Sequence, residues 1–152
     1  MSSVTTLCYI EKDGRYLMLL RNKKKADPNK NKWIGIGGRI EEGETPKECV
    51  KREAYEETGF VLSDPKYRGI VYFSDDQNEE TMHLYTCSNF TGTLKECDEG
   101  ELKWVDKKDI YGLNLWEGDK IFLELLETES SFFEVWLKYD KDVLVDSEVK
   151  IH

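Results

Sequence analysis

Histidine is scarce in this chain of 152 residues: only His83 and His152 occur, so imidazole chemistry has little to draw on. The four cysteines, at positions 8, 49, 87 and 97, lie far apart and include no C-x-x-C pair. With two histidines beside them they make no zinc framework, and they read as reduced thiols. No run approaches the ~18 apolar residues a membrane span requires. The opening MSSVTTLCYIEKDG has neither a basic start nor a long apolar core, so no secretory leader is expected. Repeats and low-complexity tracts are missing as well. Positive charge is the minority sign: 22 Lys+Arg stand against 31 Asp+Glu, a formal net charge of −9. That balance works against sequence-independent binding to a polyanionic duplex, while a free nucleotide brought in by a metal ion stays open. The expectation is one domain over residues 1–152, cytoplasmic and monomeric, with a small molecule as partner and neither duplex nucleic acid nor a membrane.

What the chain does have begins with β-type runs. Residues 4–10 and 16–20 flank Asp13-Gly14, a strong hairpin signal. Residues 21–32 gather Arg21, Lys23, Lys24, Lys25, Lys30 and Lys32 around Asp27-Pro28-Asn29, a basic loop in an acidic protein. It reads as a solvated loop or as cations for phosphate oxygens, with Arg21 and Lys23 the nearest candidates. Residues 33–38 alternate large apolar residues with glycine, as in a strand whose glycines let backbone approach a ligand or metal. Further strands are predicted over 67–73, 81–90 and 102–105, and a closing hairpin over 132–139 and 143–151. The acidic stretch 74–80 lacks the glycine and terminal glutamate of an EF-hand loop and reads as a solvated turn. Apolar residues at 121, 122, 125 and 126 predict an amphipathic helix over 119–128, with Asp119 where an N-cap is wanted. Strands in both halves with one middle and one late helix give an α+β fold, a mixed sheet flanked by helices.

The most informative stretch is residues 38–60, GRIEEGETPKECVKREAYEETGF. Thr45-Pro46-Lys47-Glu48 has the form of a capping box with proline at the first helical position, and Gly59 can turn left-handed past the last turn. A helix from Thr45 to Thr58 follows. At roughly 100° per residue it puts Glu53, Glu56 and Glu57 on one side, beside a narrow stripe of Val50 and Ala54. Three carboxylates within a turn repel by a few tenths of a kcal/mol per pair, so something positive belongs among them. Oxygen ligands at this density suit a hard cation such as Mg²⁺, which also binds substrate phosphates. The bland alternative is a solvated acidic face. The spacing decides against it: Gly38, five residues, Glu44, seven residues, then Arg52-Glu53-x-x-Glu56-Glu57-x-Gly59, which chance supplies on the order of 10⁻⁷ times in such a chain.

This spacing resembles the Nudix box, and the resemblance implies a Nudix hydrolase: a Nudix-type α/β/α sandwich whose box is a loop-helix-loop. It implies that Glu53, Glu56 and Glu57 bind metal, joined by the Gly38 carbonyl. Glu44 and Arg52 would orient the helix acids, and Glu53 is a candidate for the base that activates water. The cofactor implied is Mg²⁺, with Mn²⁺ a possible substitute.

A broader resemblance is to the MutT-like 8-oxo-dGTP diphosphatases, which clear oxidised nucleotides from the pool that feeds DNA. It rests on residues 32–38, on Glu99 five residues before Trp104, and on Trp116-Glu117-Gly118-Asp119. It implies Glu99 as a further metal ligand, Trp116 and Asp119 against the base, and a nucleoside monophosphate and pyrophosphate as products. Ile34 departs from the asparagine that mammalian members use to read the base, so purine recognition falls to other groups. Hydrolysis of another X-linked diphosphate (ADP-ribose, a dinucleoside polyphosphate, a dinucleotide cofactor) is the alternative within catalysis. A non-catalytic nucleotide sensor is the alternative outside it, although a sensor has no need of Glu44, Arg52, Glu53, Glu56 and Glu57 together.

Overall fold

The computed structural model describes residues 2–23 and 27–152. Its first strand, β1 (Ser2–Lys12), organises the rest, because it runs through the middle of the sheet and feeds two cores. Successive side chains of a strand point to opposite faces. Leu7 and Tyr9 therefore enter one apolar cluster with Phe122, Leu123 and Leu126, while Cys8 and Ile10 enter another with Val50 and Ala54. The next strand, β2 (Arg15–Arg21), divides the same way: Tyr16 and Met18 join the first cluster, Leu17 and Leu19 the second. Helices α1 (Pro46–Thr58) and α2 (Glu117–Thr128) thus cover opposite faces of the sheet. The result is the expected α/β/α sandwich. Phe122 is fully buried, and replacing it by Ala would cost about 3–5 kcal/mol.

The remaining strands are β3 (Trp33–Ile34), β4 (Phe60–Leu62), β5 (Lys66–Ser74), β6 (Glu79–Cys87), β7 (Phe90–Gly92), β8 (Gly100–Asp106), β9 (Phe133–Asp140) and β10 (Val143–Ile151). The sheet order is β10-β9-β5-β6-β1-β2-β3, with β8 on the other side of β2. It is mixed: β1 runs parallel to β6 and β5 parallel to β9, while the other pairs are antiparallel. Asp13 and Gly14 make the first hairpin turn, both at positive φ. The acidic stretch after β5 is a solvated turn in which Asp75 Oδ1 accepts from the backbone of Gln77 and Asn78.

Several elements differ from expectation. The predicted strand over 81–90 is broken: β6 ends at Cys87, and Phe90–Gly92 pairs with Phe60–Leu62 in a separate two-stranded ladder. Three-residue strands carry too little alternation to be read from sequence. A 3₁₀ turn over Lys107–Gly112, with no apolar period of its own, leads into α2. Residues 33–38 form only two residues of strand and then lie against β1, with Cys8 donating to the Ile36 carbonyl at 2.6 Å. At Gly37 an added Cβ would collide with the Thr6 carbonyl, so this glycine serves strand packing and not a ligand. No helix among the described residues is long and apolar enough to cross a membrane.

Candidate active site

Helix α1 starts as its sequence requires. Thr45 accepts from the Glu48 backbone at 3.1 Å, and the Glu48 side chain accepts from the Thr45 backbone at 2.9 Å. Gly59 closes the other end at φ 84°, its N–H on the Tyr55 carbonyl. Val50 and Ala54 bury the apolar stripe, which turns the acids toward the loop before the helix and the turn before β8.

The acids do not share one environment. Arg52 is a hub: Nε and Nη2 reach the two Glu44 oxygens at 2.7 and 3.1 Å, and Nη1 reaches Glu53 at 2.7 Å and Glu56 at 3.2 Å. Nη2 also donates to the Arg39 carbonyl at 3.1 Å, which ties the loop to the helix. The Arg52 hydrogen bonds hold Glu44 down to about 2, so this carboxylate is ionised at any working pH. Glu56 is largely exposed. Glu53 is half-buried, and burial raises its pKa although Arg52 pulls the other way. Gly38 lies directly on it: a Cβ there would stand 2.7 Å from the Glu53 carboxyl carbon. The Gly38 carbonyl accepts from Thr6 N–H at 2.9 Å, so a metal would have to use its second lone pair.

Glu57 is different. It is 6% exposed, and neither oxygen has a hydrogen-bond partner among the described residues. Burial, then the charge of Glu53, then contact with the carboxyl of Glu99 push it up to about 9. Glu99 comes from the turn before β8, and its carboxylate lies with those of Glu57 and the thiol of Cys97 in a group whose ligand atoms are all within 4.8 Å. A buried carboxylate with no donor is costly unless something positive arrives. The donors here, carboxylate oxygens on adjoining elements, fit a hard divalent cation. Glu57 and Glu99 would hold it; Glu53, one turn back and bound to Arg52, and the exposed Glu56 lie outside that close group.

The structure sets Arg21 and Lys23 beside this cluster but already engaged. Arg21 Nε pairs with Asp27 at 2.6 Å, and its Nη1 stands 3.6 Å from Glu99. Lys23 Nζ donates to the Cys97 carbonyl at 2.7 Å. Neither is an idle cation waiting for phosphate, though both face the loop that carries Glu99. Lys24 and Lys25, also in the basic loop, lie outside the described residues.

The same loop reaches a second group. Its base is closed by Arg21 N–H on the Lys32 carbonyl at 3.0 Å and Asn31 N–H on the Arg21 carbonyl at 2.6 Å. Lys32 Nζ lies 4.8 Å from the Trp116 ring centroid, and Trp116 Nε1 donates to Asn29 Oδ1 at 2.8 Å. Tyr139 meets the Trp116 ring edge-on at 5.6 Å, and its hydroxyl accepts from Gly118 N–H at 2.9 Å. Trp116, half-buried, is thus fixed at its edge with part of its surface open.

Asp119 corrects the sequence reading. It is not the N-cap: the cap is Trp116, no side chain caps the helix, and Asp119 is the third helical residue. It is 4% exposed, and burial, then the charge of Glu80, raise it to about 8 against the pull of Lys32. At neutral pH it holds its proton and can donate as well as accept. Tyr139, Asn29, Glu80 and Cys97 were not singled out from sequence as site residues. They reach the site from distant strands and loops, and only the Asp27-Pro28-Asn29 turn carried a local signal.

Comparison with known proteins decides what this arrangement is. The description NUDIX domain matches residues 1–126. The chain belongs to the Nudix family. It is a hydrolase of pyrophosphate bonds, with an uncharacterised Nudix hydrolase of Bacillus subtilis, YvcI, 31% identical over 80% of this chain and 77% of the relative. An oxidized purine nucleoside triphosphate hydrolase of Danio rerio is 27% identical over 97% of this chain and 94% of its own length. Among solved structures, a MutT protein of Bacillus halodurans superposes with a TM-score of 0.86 at 25% identity, covering 97% of both chains. The Nudix fold and the MutT-like relationship are therefore established, and the α+β sandwich is the family's own.

Proposed function

We propose that this Nudix hydrolase cleaves a nucleoside triphosphate, with an oxidised purine such as 8-oxo-dGTP as the preferred base, to a nucleoside monophosphate and pyrophosphate in the presence of Mg²⁺. The observation that carries the proposal is Glu57, a buried carboxylate with no donor, set against Glu99 and one turn from Glu53. When bound, Mg²⁺ would supply charge neutralisation on the phosphates and a more acidic water. Glu53, raised by burial and held in place by Arg52, is the carboxylate suited to take the proton from that water. Glu44 fixes Arg52, and Arg52 fixes Glu53; both are positioning residues. With His83 and His152 the only histidines, a carboxylate base is the one the chain offers.

The base would lie at Trp116. Its ring gives a stacking surface, and Asp119, protonated at neutral pH, gives a donor and an acceptor at the edge of a purine. Ile34 supplies neither, so Asp119 takes the larger share of base reading. The loop over residues 21–32 joins the two groups, with Arg21 beside Glu99 and Lys32 over Trp116, which suits a ligand that is phosphate at one end and aromatic at the other. The relatives named for oxidised purine nucleoside triphosphates support the same reading. Four free cysteines fit a reducing compartment such as the cytoplasm.

A turnover panel tests this: oxidised and normal nucleoside triphosphates beside nucleotide sugars, ADP-ribose and dinucleotides, each with and without Mg²⁺, read by phosphate release after added pyrophosphatase. Preference for the oxidised purine with Mg²⁺ required is the expected result. Equal rates on a nucleotide sugar, or turnover undiminished by chelator, would overturn it.

A further inference from the structure

The cations of the protein answer some of the acids on α1 and not others, and the unanswered one has a sulfur beside it. One oxygen of Glu57, one of Glu99 and the Sγ of Cys97 all lie within 4.8 Å of one another. Glu57 is more than nine-tenths buried and among the described residues has no hydrogen-bond partner on either oxygen, so it is a group aimed into this space that those residues do not satisfy. We propose that Cys97 Sγ is a direct metal ligand beside the Glu57 and Glu99 carboxylates, giving this position a preference for borderline cations such as Co²⁺ and Zn²⁺ over Mg²⁺. The inference rests on the reading of α1 as a cation-binding helix and adds to it a ligand and a selectivity.

Cys97 is held in place for such a role. Its carbonyl accepts from Lys23 Nζ at 2.7 Å, and an isolated antiparallel bridge ties it to Gly100. Burial raises the Cys97 thiol above its ordinary value, while backbone hydrogen bonds from Glu99 and Gly100 to its sulfur pull the other way. The other three cysteines are placed differently. Cys49 contacts Thr6 and the carbonyls of Gly38 and Arg39, Cys87 contacts the carbonyls of Ser63 and Asn89, and Cys8 is a core residue. Among the described residues none of these three joins a carboxylate group of this kind.

The chemistry is consistent with the spacing. Metal–sulfur and metal–oxygen bonds of ~2.3 and ~2.1 Å put sulfur and oxygen ~3.6 Å apart around a tetrahedral ion, so a contraction of about 1 Å closes the site. On coordination the sulfur gives a lone pair to the metal and its proton leaves to water. Magnesium prefers oxygen and gains nothing from the thiol.

The test is titration of the full-length protein with Co²⁺, followed by absorption, for wild type, Cys97→Ser and Glu99→Gln. The expected result is a near-ultraviolet thiolate-to-cobalt band in wild type that Cys97→Ser lacks, with Co²⁺ affinity at least about tenfold weaker in the variant and Mg²⁺ affinity changed less than about twofold. Glu99 is partly exposed, so Glu99→Gln is expected to fold even if Cys97→Ser does not, and it must weaken the same band at equal Co²⁺. Co²⁺ uptake without a thiolate band would overturn the Cys97 assignment and leave the carboxylate site standing. A band that persists in Cys97→Ser or ignores Glu99→Gln would place the sulfur elsewhere and also overturn it. No uptake of Co²⁺ or Mg²⁺ by any form would overturn both this inference and the reading beneath it.

Discussion

The two ends of the site carry buried carboxyl groups at opposite ends of their helices. Glu57 sits in the last turn of α1, where the helix dipole is unfavourable to negative charge, while Asp119 sits in the first turn of α2, where it is favourable. Both are nevertheless raised, to about 9 and about 8, and in both burial is the largest cause. The contrast with Glu44 is instructive: the same type of group, served by two Arg52 nitrogens, falls to about 2. The protein neutralises the acid that positions its machinery and leaves the acids that face the ligand to be completed by it. On the proposed function the completing group is a cation at the Glu57 end and a hydrogen-bonding base at the Asp119 end.

The sharpest way to break this division is at the cation end. Glu53→Gln and Glu57→Gln should each lower kcat by about 10² to 10⁴-fold on every substrate alike, with the fold retained by far-ultraviolet circular dichroism. Steady-state kinetics checks this, and a variant that loses one substrate while keeping another would merge the two ends.

At the aromatic end the effect should be smaller and selective. Trp116→Ala removes a stacking surface worth about 1–3 kcal/mol, so KM for a purine substrate should rise by roughly 5- to 150-fold with kcat changed much less. A uniform fall in kcat would instead assign Trp116 to the machinery around α1.

The effect on stability is spread over several pH units and has a sign. Both groups have folded pKa values above their unfolded values of about 4, so the folded protein keeps protons that the unfolded chain has released. Their contribution is fully present below about pH 4 and is lost as the pH rises through about 8 and 9. Each adds a slope of up to about 1.4 kcal/mol per pH unit inside that window. Urea unfolding across pH 5 to 9 should show Asp119→Asn flattening one part of the slope with or without Mg²⁺. Saturating Mg²⁺ should flatten the other part in wild type and leave Glu57→Gln unchanged.

What could be read from the sequence was whatever depends on near neighbours. The Thr45–Glu48 capping box, the left-handed Gly59 and the Asp13-Gly14 turn are fixed by residues within four positions, and all three stand as expected. The mixed sheet flanked by helices followed from strand and helix periods, and the α/β/α sandwich from the resemblance carried by residues 38–60. The Glu44–Arg52 contact, eight residues apart along one loop and helix, was carried by the box spacing. The isolation of Glu57 was not readable, because it depends on Glu99 and Cys97, some forty residues away along the chain. Asp119 was misplaced because cap preference is a local rule, and α2 starts instead at Trp116, whose side chain caps nothing and is held by Asn29 and Tyr139. Arg21 and Lys23 read as the nearest cations for phosphate oxygens; that Lys23 is held by the Cys97 carbonyl, 74 positions away, was not readable because that contact forms only on folding.

The most direct test of the account is calorimetric titration of the wild-type protein with Mg²⁺ near pH 7, repeated in buffers of different ionisation heat to count protons. If Glu57 is a buried acid completed by the cation, binding should release about one proton in wild type and none in Glu57→Gln, with affinity at least about tenfold weaker in the variant. Binding that releases no proton from wild type, or equal release and affinity in both proteins, would contradict it.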